Sequence, residues 1–160
     1  MITPLTEYAG FWRRVIATLV DTLWLSILLL PLLHLVYGGD YLLMPDSLVE
    51  EPFEWQGILI NDLLPALLII GFWVRFSATP GKWLLDCEIV NAKNGEPLTP
   101  RQALLRYIGY FVATLPFGLG ILWIIWDKHK QGWHDKIAGT VVIIHDEATI
   151  PLPELDKNYR

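Results

Sequence analysis

Long apolar stretches separated by short polar ones dominate the chain. From Val15 to Val36 there is one formally charged residue, Asp21, in a stretch of about 22 residues, or roughly 33 Å as a helix rising 1.5 Å per residue. That length spans a bilayer. Arg13 and Arg14 in front of it invite comparison with a cleaved signal peptide, but the block is too long and no A-x-A-like site follows it, so it is expected to stay attached as an anchor. A second block, Ile58 to Val74, stands at the short limit for a span, with Asp62 in its first turns and Pro65 inside it, and is read as a second transmembrane helix. A third, Leu104 to Trp126, is long enough, but Arg106 sits near its start and Pro116-Phe117-Gly118-Leu119-Gly120 interrupts it. Such a sequence breaks or bends a helix, giving either one kinked span or two short arms, Leu104 to Leu115 and Ile121 to Trp126.

Two segments follow a different period. Asp86 to Asn91 alternates polar and apolar residues before the turn signal Ala92-Lys93-Asn94-Gly95, with Glu96 to Thr99 as a short return strand. Thr140 to His145 is a second β-branched run. Lone strands in a helical protein need partners for their backbone groups, and pairing with one another is the economical solution. It requires both on one side of the membrane. This favours a re-entrant or doubled third element over a single crossing.

Orientation follows from the basic residues. Tyr37 to Gly57 holds Asp40, Asp46, Glu50, Glu51 and Glu54 and no Lys or Arg, whereas Arg13 and Arg14 precede the first block and Arg75, Lys82, Lys93 and Arg101 follow the second. The N-terminus and the 75–103 segment are therefore expected on the cytoplasmic side of the cell membrane. A single third span would put Lys128, Lys130 and Lys136 outside, so the re-entrant element also keeps the C-terminal segment cytoplasmic. Tyr37, Tyr41 and Trp55 suit the outer interface, and Tyr8, Trp12, Trp73 and Trp83 the inner one. The expected architecture is an α-helical integral membrane protein with two transmembrane helices, a third broken or re-entrant element and a small cytoplasmic β-ribbon.

Composition narrows the function. Of 160 residues, 53% are hydrophobic, and 12 Lys and Arg are outnumbered by 17 Asp and Glu for a formal charge of -5, which argues against a nucleic-acid partner. The lipid bilayer is the expected one. Cys87 is the single cysteine, so no internal disulfide forms, and its acidic neighbours Asp86 and Glu88 disfavour a reactive thiolate. His34, His129, His134 and His145 lack metal-ligand spacing, and Ser26, Ser47 and Ser77 lack a nucleophile context. Neither an enzyme, a metal site nor a cofactor is expected.

Asp21 is the sharpest single feature, because a carboxylate inside a span costs about 2.5 to 3.5 kcal/mol unless it is protonated, paired or hydrated. Arg14 lies seven residues earlier on nearly the same helix face, but Arg side chains at a span's end reach for the interface, so a partner from the C-terminal segment is expected instead. Asp62, with Asn61, falls where hydration is easy and is read as structural. Ala78-Thr79-Pro80-Gly81-Lys82 lacks the spacing of a phosphate loop. Thr79 reads as a helix N-cap with Pro80 at the first helical position, and Lys82 as a contact for an anionic lipid headgroup. The densest polar run is Asp127 to Thr140.

Ala9-Gly10-Phe11-Trp12-Arg13-Arg14 leading into the helix with Asp21, then Thr79-Pro80-Gly81-Lys82 before the Cys87 to Val90 strand, and finally Gln131-Gly132-Trp133-His134-Asp135-Lys136-Ile137-Ala138-Gly139-Thr140 together resemble the RDD family of small bacterial membrane proteins. The resemblance covers nearly the whole chain. It implies an RDD-like membrane domain over 1–146 and leaves 147–160, with Pro151 and Pro153, as a polar tail. It maps the family arginine onto Arg13 or Arg14, with Arg13 preferred, the first aspartate onto Asp21, and the second onto Asp135 with Asp127 as rival. Transport of unknown ligands has been suggested for that family. Two expectations follow: a transport or ion-exchange component using Asp21 with Arg and Asp partners, or a non-catalytic membrane adaptor in which the same residues form a structural ion-pair lock. Two spans and a hairpin are too few to enclose a pathway, so a homo-oligomer or a partner membrane protein is expected.

Overall fold

The computed structural model describes residues 7–37 and 58–144. The acidic 38–57 segment, with Tyr41 and Trp55, and the tail from 145 onward, with His145, lie outside the described residues.

The first apolar block folds as one helix, α1 (Phe11–Tyr37), and the second as α2 (Leu64–Phe76), entered through a π-helical turn over Ile58–Leu63. Pro65 falls in the first turn of α2, where its missing N–H leaves no orphan, so it starts a helix and does not interrupt one. α1, and α2 together with its π-helical turn from Ile58, are apolar and long enough to cross a membrane, and little of either is buried inside the protein. Leu19, Leu23, Ile27 and Leu35 on α1 are all exposed. An all-round apolar surface of this kind suits lipid as its solvent. The hydroxyls of α1 are neutralised locally: Thr18, Thr22 and Ser26 each donate to the carbonyl four residues back, at 2.8–2.9 Å.

After α2 the chain turns through Ser77, in the left-handed region at φ 54°, into the five-residue helix α3 (Pro80–Leu84) and the strand β1 (Cys87–Asn91). A capping box between Thr99 and Gln102, with Pro100 in the first turn, starts α4 (Pro100–Thr114). The third apolar block is thus broken. The chain bends by 112° after α4 and continues as α5 (Leu119–Leu122) and a 3₁₀ turn over Trp123–Ile125. The bend falls at the sequence's breaker, with Phe117 and Gly118 both at positive φ. Gly120 packs so closely on α4 that a Cβ there would lie 2.6 Å from the Ala113 Cα. The short helix α6 (Trp133–Ala138) ends on Gly139 at φ 63° and feeds β2 (Thr140–Ile144).

The two expected strands pair with one another, antiparallel, with Cys87 opposite Ile144 and Asn91 opposite Thr140. The other edge of β2 is taken by the chain before α1: Ile144 N–H donates to Glu7 O at 2.8 Å and Ala9 N–H to Val142 O at 2.9 Å. The expected return strand over Glu96 to Thr99 shrinks to one bridge between Val90 and Pro97, since Pro97 has no N–H and Pro100 already begins a helix. Cys87, Ile89 and Val142 from the sheet pack with Ala9, Trp73, Leu98 and Ala103 in the main core. Tyr8 and Trp73 are therefore buried in the protein, whereas Trp12 and Trp83 are exposed. Burial, more than the Asp86 charge, pushes the Cys87 thiol up.

Candidate functional site

Two charge clusters form where α1 meets the rest of the fold. The first centres on Asp135, in the first turn of α6, whose carboxylate accepts from Gly132 N–H at 3.0 Å and so caps its own helix. Two guanidiniums converge on it. Arg14, from the first turn of α1, brings Nη1 to 2.7 Å of Oδ2, and Arg106, from α4, pairs its Nη1 with Oδ1. Arg14 is fully employed, because its Nε donates to Ala9 O at 2.9 Å and its Nη2 to Lys130 O at 2.6 Å. Arg106 Nη1 also donates to Thr140 Oγ1 at 2.7 Å, and its guanidinium lies over the rings of Trp73 and Tyr110. The cluster ties α1, α4, α6 and the start of β2 at one point.

All three charges are buried, with Arg106 and Asp135 at 0% exposure. Burial alone would raise the Asp135 carboxyl, but Arg106 and then Arg14 hold it far below the ordinary carboxylate range. His134 stacks on Tyr110 with ring centroids 3.9 Å apart. Desolvation lowers its pKa to about 3 against the pull of Asp135, and Arg106 and Arg14 add to the lowering, so the imidazole is neutral.

The second cluster centres on Asp21, about 15 Å along α1 from its first residue. Thr79 Oγ1 donates to Asp21 Oδ2 at 2.5 Å, Gly81 N–H to Oδ1 at 2.7 Å and Trp24 Nε1–H to Oδ1 at 3.1 Å, while Lys82 Nζ stands 3.8 Å from Oδ2. Thr79 is the N-cap residue of α3 in its backbone, yet its hydroxyl serves Asp21 and not its own helix. Asp21 takes over the capping role from across the fold by accepting the Gly81 N–H. Gly81 makes this approach feasible. A Cβ there would lie 2.1 Å from the Ala17 carbonyl oxygen and 2.9 Å from the Asp21 carboxyl carbon.

The expected residues therefore divide. Arg14 and Asp135 come together; Arg13, its neighbour, is half-buried outside their cluster. Asp127 stands apart, accepting from the N–H groups of His129 and Gln131 at 3.1 Å each and pairing with Lys136. Burial would raise its carboxyl, but Lys136 and those two N–H groups bring it below the ordinary value. Lys82 is 6% exposed and faces Asp21. Asp21 meets the 79–82 segment and not the C-terminal one, because α3 packs directly on α1. In the sequence Arg106 shows only as an interruption of an apolar block, and a lone arginine inside such a block is the signal that points to it.

Two cavities flank α1. One, of about 340 Å³, lies between α1, α2 and α4 and is lined by Thr18, Asp21, Trp24, Trp73, Lys82 and Tyr107 among others. The other, of about 550 Å³, lies between α1 and the bent α4–α5 element, with Arg14, Lys82, Arg106 and His134 in its wall. Thr18, Lys82 and Tyr110 belong to both.

Two long apolar helices, a bent third pair and two charge clusters buried among them define a small helical membrane protein. The chain belongs to the RDD family, whose sequence model matches residues 8–139. It is 32% identical to the uncharacterized protein YckC of Bacillus subtilis over 139 residues, covering 84% of this chain and 83% of that one. It is 29% identical to YteJ of the same organism, described as an uncharacterized membrane protein, over 85% of this chain and 80% of YteJ. With the uncharacterized protein RP437 of Rickettsia prowazekii it shares 36% identity over 83 residues, which span 52% of this chain and 46% of that protein. No solved structure matches the chain.

Proposed function

We propose that the chain is a transport or ion-exchange component of the cell membrane in which Asp21 and Lys82 form the working charge pair. The observation that carries this reading is their shared place in the wall of the 340 Å³ cavity between the spans, beside Thr18 and Thr22 of the α1 hydroxyl row. Ionisable residues at such depth mark ion or substrate paths more often than they serve packing. A proton or small cation arriving at Asp21 competes with Lys82 and Thr79 for the same carboxylate. Occupancy would loosen the hold of α1 on α3, and that contact is the two-state element of the mechanism.

The sheet supports the membrane arrangement. Glu7 to Ala9, β1 and β2 are hydrogen-bonded side by side, so all three lie on one side of any bilayer the protein spans. Two crossings, α1 and α2, return the chain to its starting side. Between β1 and β2 the number of crossings must be even, which supports a re-entrant or doubled α4–α5 element over a single crossing. The basic residues around 75–101 support a cytoplasmic position for that side. A second copy or a partner membrane protein completes the pathway, and no catalytic step is involved.

Flux in proteoliposomes tests this reading. Ion-dependent flux present in the wild type and abolished in folded Asp21→Asn and Lys82→Gln proteins supports it, and unchanged flux in both removes the pair from the mechanism.

The adaptor reading is favoured by one specific observation. Asp135 is saturated by Arg14, Arg106 and Gly132, which suits a structural lock. In that case variants of Asp135 lose the fold while no variant of Asp21 changes any flux.

A further inference from the structure

The larger cavity carries a charge imbalance that the proposed exchange does not use. Among the described residues its wall includes three basic side chains, Arg14, Lys82 and Arg106, and no acidic one. The two carboxylates that compensate them, Asp21 and Asp135, do not line it. Arg14 has a bond for each of its donor nitrogens, but Arg106 does not: at 0% exposure, its Nε and Nη2 have no hydrogen-bond partner among the described residues. Asp135 is shared between two guanidiniums and Arg106 otherwise leans on the Trp73 and Tyr110 rings, so this end of the cavity keeps an excess of positive charge that suits a phosphate or carboxylate. Lys82 adds a second cation whose bond to Thr79 is long, at 3.4 Å, and whose distance to Asp21 is 3.8 Å.

The remainder of the wall is apolar, with Phe11, Val15 and Leu19 from α1 facing Phe117, Ile121 and Leu122 from the bent element. Phe117 is 100% exposed at the bend. A cationic base at the start of α1 joined to an apolar slot running along it matches an amphiphile with an anionic head and a hydrocarbon body. We propose that this cavity binds an anionic phospholipid, its phosphate against Lys82, with the buried charges of Arg106 and Arg14 behind it, and its acyl chain between α1 and α5. The site would bring lipid charge to Lys82, a residue that also faces Asp21.

Native mass spectrometry of the full chain in neutral detergent tests the assignment, with phosphatidylglycerol, phosphatidylcholine and inorganic phosphate as probes. The expected result is one phosphatidylglycerol retained per chain, preferred over phosphatidylcholine by about tenfold or more. Lys82→Gln, which removes a charge, and Val15→Trp, which fills the slot and leaves every charge in place, should each lower retention by about the same factor. If Lys82→Gln does not fold, Val15→Trp decides. Equal retention of the two lipids, wild-type retention in the folded variants, or binding of inorganic phosphate without phospholipid would overturn the proposal. Flux is not the readout, so failure here leaves the exchange mechanism standing.

Discussion

Arg14 and Asp135 lie 121 residues apart in the chain and 2.7 Å apart in the fold. With Arg106 on its other oxygen, Asp135 joins the first span to the last strand through a buried ion triad. Removing one member of a buried ion pair strands its partner, typically at about 3 to 5 kcal/mol. Asp135→Asn and Arg14→Gln should therefore abolish or sharply reduce the yield of folded protein and its melting temperature in detergent. Arg13→Gln should change neither. An Arg13 effect as large as that of Arg14 would contradict the assignment.

At Gly81 the backbone of α3 packs directly onto that of α1. Since an added Cβ meets the Ala17 carbonyl at 2.1 Å, backbone must move to admit it. Gly81→Ala should cost about 1 to 3 kcal/mol, the range for overpacked sites, and should weaken the Asp21 contacts. Thermal unfolding in detergent measures the cost, and a melting temperature equal to that of the wild type would refute this packing.

Acidification should destabilise the protein, beginning well above the carboxylate range. His134 binds its proton in the unfolded chain near pH 6.5 and in the folded one only near pH 3. The unfolded state thus holds more protons between those values, and stability falls by up to about 1.4 kcal/mol per pH unit as pH drops through that window. Asp135, also lowered on folding, adds to the loss once pH falls below the ordinary carboxylate value. Unfolding measured against pH should flatten across the histidine window in His134→Phe, which keeps the stack on Tyr110. An unchanged slope would rule His134 out as its source.

The spans and strands were legible because each shows in one dimension. Span length is a property of consecutive residues, and the β-branched runs at 87–91 and 140–144 stand out in a helical chain whose unpaired strands must find each other. The arginine was harder to read. Adjacent positions on a helix point about 100° apart, and Arg14, not Arg13, shares a buried face with Ala17 and Asp21. That i, i+3, i+7 stripe, with a small residue at its centre, was the signal in the sequence. The partner of Asp21 was not legible. Helix α3 meets α1 through Gly81, and the lack of a side chain at one glycine carries no periodic mark. Arg106 stood out as a lone arginine in an apolar block, but its partner Asp135 was hidden, since only the tertiary fold brings α4 against α6.

Glu7 to Ala9, β1 and β2 are hydrogen-bonded side by side and so share one side of the membrane. Cysteine-accessibility labelling in a Cys87→Ser background, with single cysteines at Asp46, Asn94 and Lys128, measures this directly. Residues 94 and 128 should label from the same face and residue 46 from the opposite one. Labelling of residue 128 from the face opposite to residue 94 would contradict the account.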